Sequence, residues 1–204
     1  MFSNCSLMTE CYTKFPELIT ADYMFYNCTA LTGLKEYDST DFAKIKTADR
    51  MFLGCNNLLE FNYKTVHLTK AEGMFMECTA LTTIGDEVKS RSNFSKVTDG
   101  DMMFKDCYNL KHFYSDLSSL AMASEMFKGC YELSYFDCSL KSLKNGTEMF
   151  SDCKKIASCY TNLSSLQIGT SMFENCQDLK KFDADENMNK LTNGQKMFKN
   201  CFKL

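Results

Sequence analysis

The five-residue pattern Met-Phe-x-x-Cys occurs nine times in this chain. It stands at Met1–Cys5, Met24–Cys28, Met51–Cys55, Met74–Cys78, Met103–Cys107, Met126–Cys130, Met149–Cys153, Met172–Cys176 and Met197–Cys201. Successive cysteines lie 23, 27, 23, 29, 23, 23, 23 and 25 residues apart. Self-similarity at a short period marks a repeat architecture, in which each unit buries its apolar face only against its neighbours. The 204 residues therefore read as a single solenoid spanning 1–204, not as ordinary globular domains.

Aligning on the motif, with Met as position 1, gives a unit of 23 residues. Position 8 is Leu or Ile in every repeat but the first, which has Met8. Position 11 holds Cys11, Leu34, Phe61, Ile84, Phe113, Phe136, Cys159 and Phe182. Six residues before each later Met stands Leu18, Ile45, Leu68, Val97, Leu120, Leu143, Leu166 or Leu191. Three before it stands Ala or Gly, which predicts a tight corner against the neighbouring coil.

Positions 1, 2, 5 and 8 share the i, i+1, i+4, i+7 spacing of one helix face, and predict a short helical turn. A helix of about two turns is marginal alone, so stacking must hold it. Positions 9–13 predict a strand with position 11 inward and positions 10 and 12 outward. Each coil then adds one strand to a parallel sheet, and nine coils at about 4.8 Å make a rod or shallow arc roughly 40 Å long.

The longer repeats carry their extra residues just after the strand, at Glu36–Asp41, Gly85–Asn93 and Asp183–Asn187. Insertions in solenoids collect on one edge, often a binding edge. The array opens on the motif and closes at Leu204, position 8 of the ninth unit. Stacked repeats normally carry polar caps, so Phe198, Cys201, Phe202 and Leu204 are expected at an uncovered end. That predicts either a portion of a longer array or ends that stack on other chains.

Composition narrows the function classes. A net charge of −3 gives no basic footprint, which argues against a nucleic-acid partner. No stretch approaches the roughly 18 apolar residues of a membrane span. Twelve cysteines invite a disulfide framework, but nine share one repeat position, and Cys11, Cys138 and Cys159 fall where sister repeats are apolar. Buried free thiols account for all twelve. Strand spacing also brings neighbouring cysteines within disulfide range, so pairing stays open beside the free-thiol reading. Zinc is disfavoured: there is no C-x-x-C pair, and His67 and His112 stand alone.

No catalytic constellation emerges, because a Cys–His nucleophile needs one thiol made reactive by an adjacent base. Asp183-x-Asp185-x-Asn187 begins like a calcium loop but lacks the following Gly, and Gly194 stands where the bidentate Glu belongs. The five Asn-x-Ser/Thr sequons, at Asn4, Asn27, Asn93, Asn145 and Asn162, carry no argument for glycosylation. Neither a metal nor a cofactor is implied.

The informative surface positions are 10 and 12. In successive coils they place His112 and Tyr114, then Tyr135 and Asp137, then Ser158 and Tyr160, then Lys181 and Asp183 on one face. Tyrosine combines contact area with a polar tip and is enriched at protein interfaces. Aromatic residues also favour strands for their own packing. His112, Tyr114, Tyr135, Asp137, Tyr160 and Asp183 form the candidate binding set.

The composite M-F-x-x-C-x-x-L-x-x-F, with Gly three residues before the next Met, resembles the BspA-like leucine-rich repeat family, whose pattern is A-F-x-x-C-x-x-L-x-x-I at the same period. Ile168-Gly169-Thr170-Ser171-Met172-Phe173 is the nearest local match. Met in place of Ala, Ala often in place of Gly, and the missing proline after the strand depart from it. The resemblance implies a leucine-rich-repeat solenoid on a bacterial or protist surface, acting in adhesion or host-protein binding. The expectation is a non-catalytic protein-binding module at a cell or particle surface. The alternative is a structural subunit of a larger assembly, such as a virion, a phage particle or a cell-surface layer.

Overall fold

The computed structural model of the chain describes residues 1–12, 14–34, 42–85, 94–184 and 188–204. The insertion expected at 36–41, residues 86–93 of the one expected at 85–93, and residues 185–187 of the third lie outside the described residues. Eight strands of two or three residues recur at positions 10–12: β1 (Glu10–Cys11), β2 (Gly33–Leu34), β3 (Glu60–Phe61), β4 (Thr83–Ile84), β5 (His112–Phe113), β6 (Tyr135–Phe136), β7 (Ser158–Tyr160) and β8 (Lys181–Asp183).

Every strand pairing is parallel and joins equivalent positions, as in Glu60↔Thr83↔His112 and Tyr135↔Ser158↔Lys181. The strands form three short sheets, β1-β2, β3-β4-β5 and β6-β7-β8, in place of the expected continuous one. The uninterrupted ladder lies elsewhere. Thr20, Thr47, Lys70, Asp99, Met122, Asn145, Ile168 and Asn193, each four residues before a motif Met, are joined by successive parallel bridges.

The predicted helical turn is also corrected, since no helix forms among the described residues. A helix would need each N–H to reach back four residues along its own coil. Here alternate N–H groups leave the coil. Those of Ala21, Tyr23, Phe25 and Asn27 donate to Thr47, Asp49, Met51 and Leu53 of the next coil. Those of Met24, Tyr26 and Cys28 turn back on Ala21, Tyr23 and Phe25. Two left-handed residues per coil make this alternation possible, one before the Met and one before the Cys. Tyr23 has φ 56° and Asn27 has φ 55°, and equivalent residues follow suit through to Lys196 and Asn200. Consecutive tight turns put positions 1, 2, 5 and 8 inward as a helix face would.

What fills the interior is a set of columns. The motif phenylalanines, from Phe2 through Phe25, Phe52, Phe75, Phe104, Phe127, Phe150 and Phe173 to Phe198, stack ring on ring. Centroids are 5.2–5.5 Å apart and planes within 8°. Position 11 rings meet that column edge-on, as Phe61 does against Phe75 at 4.9 Å. Each buried ring contributes about 2–3 kcal/mol of apolar burial, with offset or edge contacts adding to it. The small residue three before each Met is set by side chains and not by backbone conformation. A Cβ on Gly146 would stand 3.2 Å from Leu143 Cδ2 and 3.3 Å from Met172 Cε of the next coil.

Candidate functional site

The turn that carries each motif also settles the chemistry of its cysteine. Burial places eight of the nine motif thiols against the preceding coil, where each Sγ donates to the carbonyl oxygen of that coil's Phe. Cys28 bonds Phe2 and Cys55 bonds Phe25, and the series continues through Cys78, Cys107, Cys130, Cys153 and Cys176 to Cys201 on Phe173, at 3.0–3.2 Å. All twelve cysteines are free. Burial pushes the thiols of Cys55 and Cys138 up to about 12, and those of Cys78, Cys107, Cys130, Cys153, Cys159 and Cys176 well upward too. A thiol that stays protonated and donates to a carbonyl is neither a nucleophile nor a metal ligand. Among the described residues no group of three or more His, Cys, Asp and Glu could hold a metal ion.

The outward positions of the strands do come to the surface. His112, Tyr135, Asp137, Tyr160 and Asp183 are exposed and Tyr114 is half-buried. Alternation along a strand aims positions 10 and 12 the same way, so their partners are each other. The His112 and Tyr114 rings lie parallel with centroids 5.8 Å apart, and the Tyr114 hydroxyl is 3.5 Å from His112 Nδ1. The Tyr135 hydroxyl donates to Asp137 Oδ2 at 2.8 Å, and that bond holds its ionisation above the usual phenol range. Tyr135 and Tyr160 meet across β6 and β7 with centroids 6.4 Å apart.

The six residues are therefore grouped as a pair and a quartet. The pair His112 and Tyr114 belongs to β5 and the residue after it, at the end of one sheet. Tyr135, Asp137, Tyr160 and Asp183 belong to the next sheet, β6-β7-β8. Asp137, Tyr160 and Asp183 line a shallow depression of about 410 Å³, together with Ser139, Thr161 and Asn162. Sequence reasoning missed those last three because it took only the outward positions 10 and 12 as contact positions, and they follow the observed strands at positions 13 and 14. Thr161 is positioned by its N–H on the Asp183 carbonyl at 3.0 Å and its Oγ1 on the Cys138 carbonyl at 2.8 Å.

A second surface feature was also missed. Tyr108 and Tyr131, at position 6 of adjacent coils, stack with centroids 5.0 Å apart and planes within 5°. Lys154 Nζ lies 4.6 Å above the Tyr131 ring. Tyr, Tyr, Lys at the same position of three successive coils was the available signal.

Short parallel strands repeated every 23 residues or so, closing over stacked apolar columns, define a leucine-rich-repeat solenoid. A family model described as BspA type leucine rich repeat region matches residues 86–204 in six copies. The chain belongs to that family. A second model, described as Mycoplasma protein of unknown function, matches residues 19–136.

Among solved structures, the chain is similar to a leucine-rich repeat protein of T. pallidum. That match has 21% identity and a TM-score of 0.57, and covers 79% of this chain and 72% of that one. It is also similar to a leucine-rich repeat protein from Bacteroides ovatus, with 20% identity, a TM-score of 0.46, and coverage of 96% and 59%. A leucine rich cell surface protein from Faecalibacterium prausnitzii matches with 19% identity, a TM-score of 0.42, and coverage of 90% and 62%. The likeness to the T. pallidum protein speaks to the fold. A search of curated proteins gives no match.

Proposed function

We propose that this chain is a non-catalytic protein-binding module acting in surface adhesion or recognition, and that its contact face is built from positions 10 and 12 of the coils. The observation that carries this reading is the exposed quartet Tyr135, Asp137, Tyr160 and Asp183 around the depression in the β6-β7-β8 sheet. Behind it lies a column of stacked phenylalanines that fixes the strands, so the face is organised before a partner arrives and ordering it costs little on binding. Its aromatic content is of the kind enriched at interface centres. Burial keeps the motif thiols from Cys55 to Cys176 protonated and packed in the core, which suits a structural role for them.

The test compares the native chain with a Tyr114→Ala, Tyr135→Ala, Tyr160→Ala variant, each immobilised at equal folded amount. Both are exposed to serum and to solubilised host-cell surface proteins. Proteins retained by the native chain and lost from the variant support the reading. Identical retained sets contradict it.

A further inference from the structure

The edge that carries the motif turns changes character along the array. In the later coils the residues flanking the motif Met-Phe are charged and satisfy one another, as Lys105, Glu125, Lys128 and Glu148 do in one chain of ion pairs. In the second to fifth coils the same positions hold Tyr23, Tyr26, Arg50, Leu53, Met76 and Met102. Tyr23 is exposed and the other five are half-buried. The Tyr23 and Tyr26 rings meet with centroids 5.8 Å apart. The Arg50 guanidinium lies 5.8 Å from the Tyr23 centroid and donates to its hydroxyl at 2.7 Å. Gly73 sits between Arg50 and Met76: a Cβ there would stand 3.4 Å from Arg50 Cγ and 3.8 Å from Met76 Cβ.

A row of carboxylates runs beside this strip. The N–H groups of Tyr23, Arg50 and Gly73 donate to the carbonyls of Asp49, Glu72 and Asp101 in the next coil, which sets the row alongside. Asp22 Oδ1 accepts the N–H of Asp49 at 2.9 Å, Asp49 Oδ1 that of Glu72 at 3.0 Å, and Asp101 Oδ1 that of Ser124 at 2.6 Å. Asp99 joins them through the N–H of Asp101 at 3.3 Å. Burial raises the ionisation of Asp49 and Asp101, and the charges of Asp22, Asp99 and Glu72 add to it. Arg50 pairs with Glu72, and Lys70 acts on Asp49. Even with Lys46 set beside those two cations, the row stays net negative. In the later coils Ser124, Thr147, Thr170 and Gln195 take the place of Asp22, Asp49, Glu72 and Asp101.

Tyrosine, methionine and arginine are the residues enriched at interface centres, and a charged row beside them selects a partner of opposite sign. We propose that this edge of the second to fifth coils is a further protein-contact surface, separate from the strand face. It receives a basic amphipathic segment of a partner protein, with apolar side chains on Leu53 and Met76 and lysine or arginine against Asp49 and Asp101.

Fluorescence anisotropy tests this with a labelled peptide of leucine and lysine at helical spacing, titrated with the full chain at physiological ionic strength. Peptides of serine and lysine, and of leucine and glutamate, in the same pattern are the comparisons. The expected result is leucine–lysine binding about tenfold or more tighter than either. The double variant Leu53→Ser, Met76→Ser installs the residue that Ser151 already places there. The double variant Asp49→Asn, Asp101→Asn removes charge and keeps the acceptor oxygens. Each weakens binding by about tenfold or more, with the thermal midpoint within about 5 °C of the native chain. The triple tyrosine variant of the strand face binds the peptide as the native chain does. Absence of leucine–lysine binding, equal affinity for either comparison peptide, affinity unaltered in either double variant, or binding lost in the triple tyrosine variant overturns the proposal. The strand-face reading is judged apart from it, by the protein partners that the triple variant loses.

Discussion

The sulfhydryl of Cys107 donates to the main-chain oxygen of Phe75 with sulfur and oxygen 3.0 Å apart. The same oxygen already accepts the N–H of Cys78 from its own coil. One carbonyl thus ties a turn to itself and to the next turn. The arrangement explains why cysteine, and not another small apolar residue, recurs at position 5: it fills the column and supplies a donor there.

Replacing Cys107 by Ala removes that donor and leaves a small void, while the Phe75 carbonyl keeps its bond from Cys78. The expected loss is about 1–2 kcal/mol, read as a lowered urea midpoint. A midpoint equal to that of the native chain would show that the thiol contributes neither packing nor a bond.

The columns were legible in the sequence, but the backbone that carries them was not. Met1, Phe2, Cys5 and their repeats announced buried positions, and those positions are buried through the middle of the array. Their spacing suits a helix face and a string of tight turns equally well, so it could not say which. The deciding signal was present at position 4, where Asn4, Asn27, Gly54, Asp106, Gly129, Asp152, Asn175 and Asn200 are the residue types that tolerate a left-handed backbone, with Glu77 the one exception. Position 0 gave no such hint, since Tyr23, Arg50, Met102 and Glu125 adopt the same conformation, each with its N–H donating to the next coil. On the candidate face, Tyr135 and Tyr160 could be placed together from the period. The division between His112–Tyr114 and the quartet could not, because it depends on where the strand ladder breaks.

The thiol columns predict a count. Titration of denatured, unreduced protein should find close to twelve free thiols. In the native chain Cys5, which is exposed, should label first and the buried thiols only as the array opens. Fewer than about four free thiols would contradict a core built on unpaired cysteine.

They also predict an alkaline limit to stability. The thiols of Cys55 and Cys138 have their ionisation raised by burial from an ordinary 9.0 to about 12. A group raised in the fold stabilises fully below its unfolded value, and that contribution is lost as pH climbs towards the folded one. The urea midpoint should therefore hold level to about pH 8 and fall between about pH 9 and 12, by up to about 1.4 kcal/mol per pH unit for each thiol involved. A midpoint that stays level through pH 11 would contradict buried, protonated thiols.

Gly85 bears on the face through its neighbour. Its φ is +77°, and a Cβ there would lie 2.2 Å from the carbonyl oxygen of Tyr114. Gly85→Ala combines a strained backbone with a collision against main chain, and should cost about 2 kcal/mol or more. The thermal midpoint should drop while a surface control such as Lys141→Ala leaves it in place. Equal midpoints would mean that the β4–β5 crossing is looser than its geometry.

On the proposed reading, the residues that repeat build the array and the residues that do not repeat form the contact face. The most direct measurement of that division is thermal denaturation and partner retention recorded together on the Tyr114→Ala, Tyr135→Ala, Tyr160→Ala variant. The predicted result is a midpoint within about 3 °C of the native chain, with the retained partners lost. Partners retained at native levels, or lost only because the array has unfolded, would contradict it.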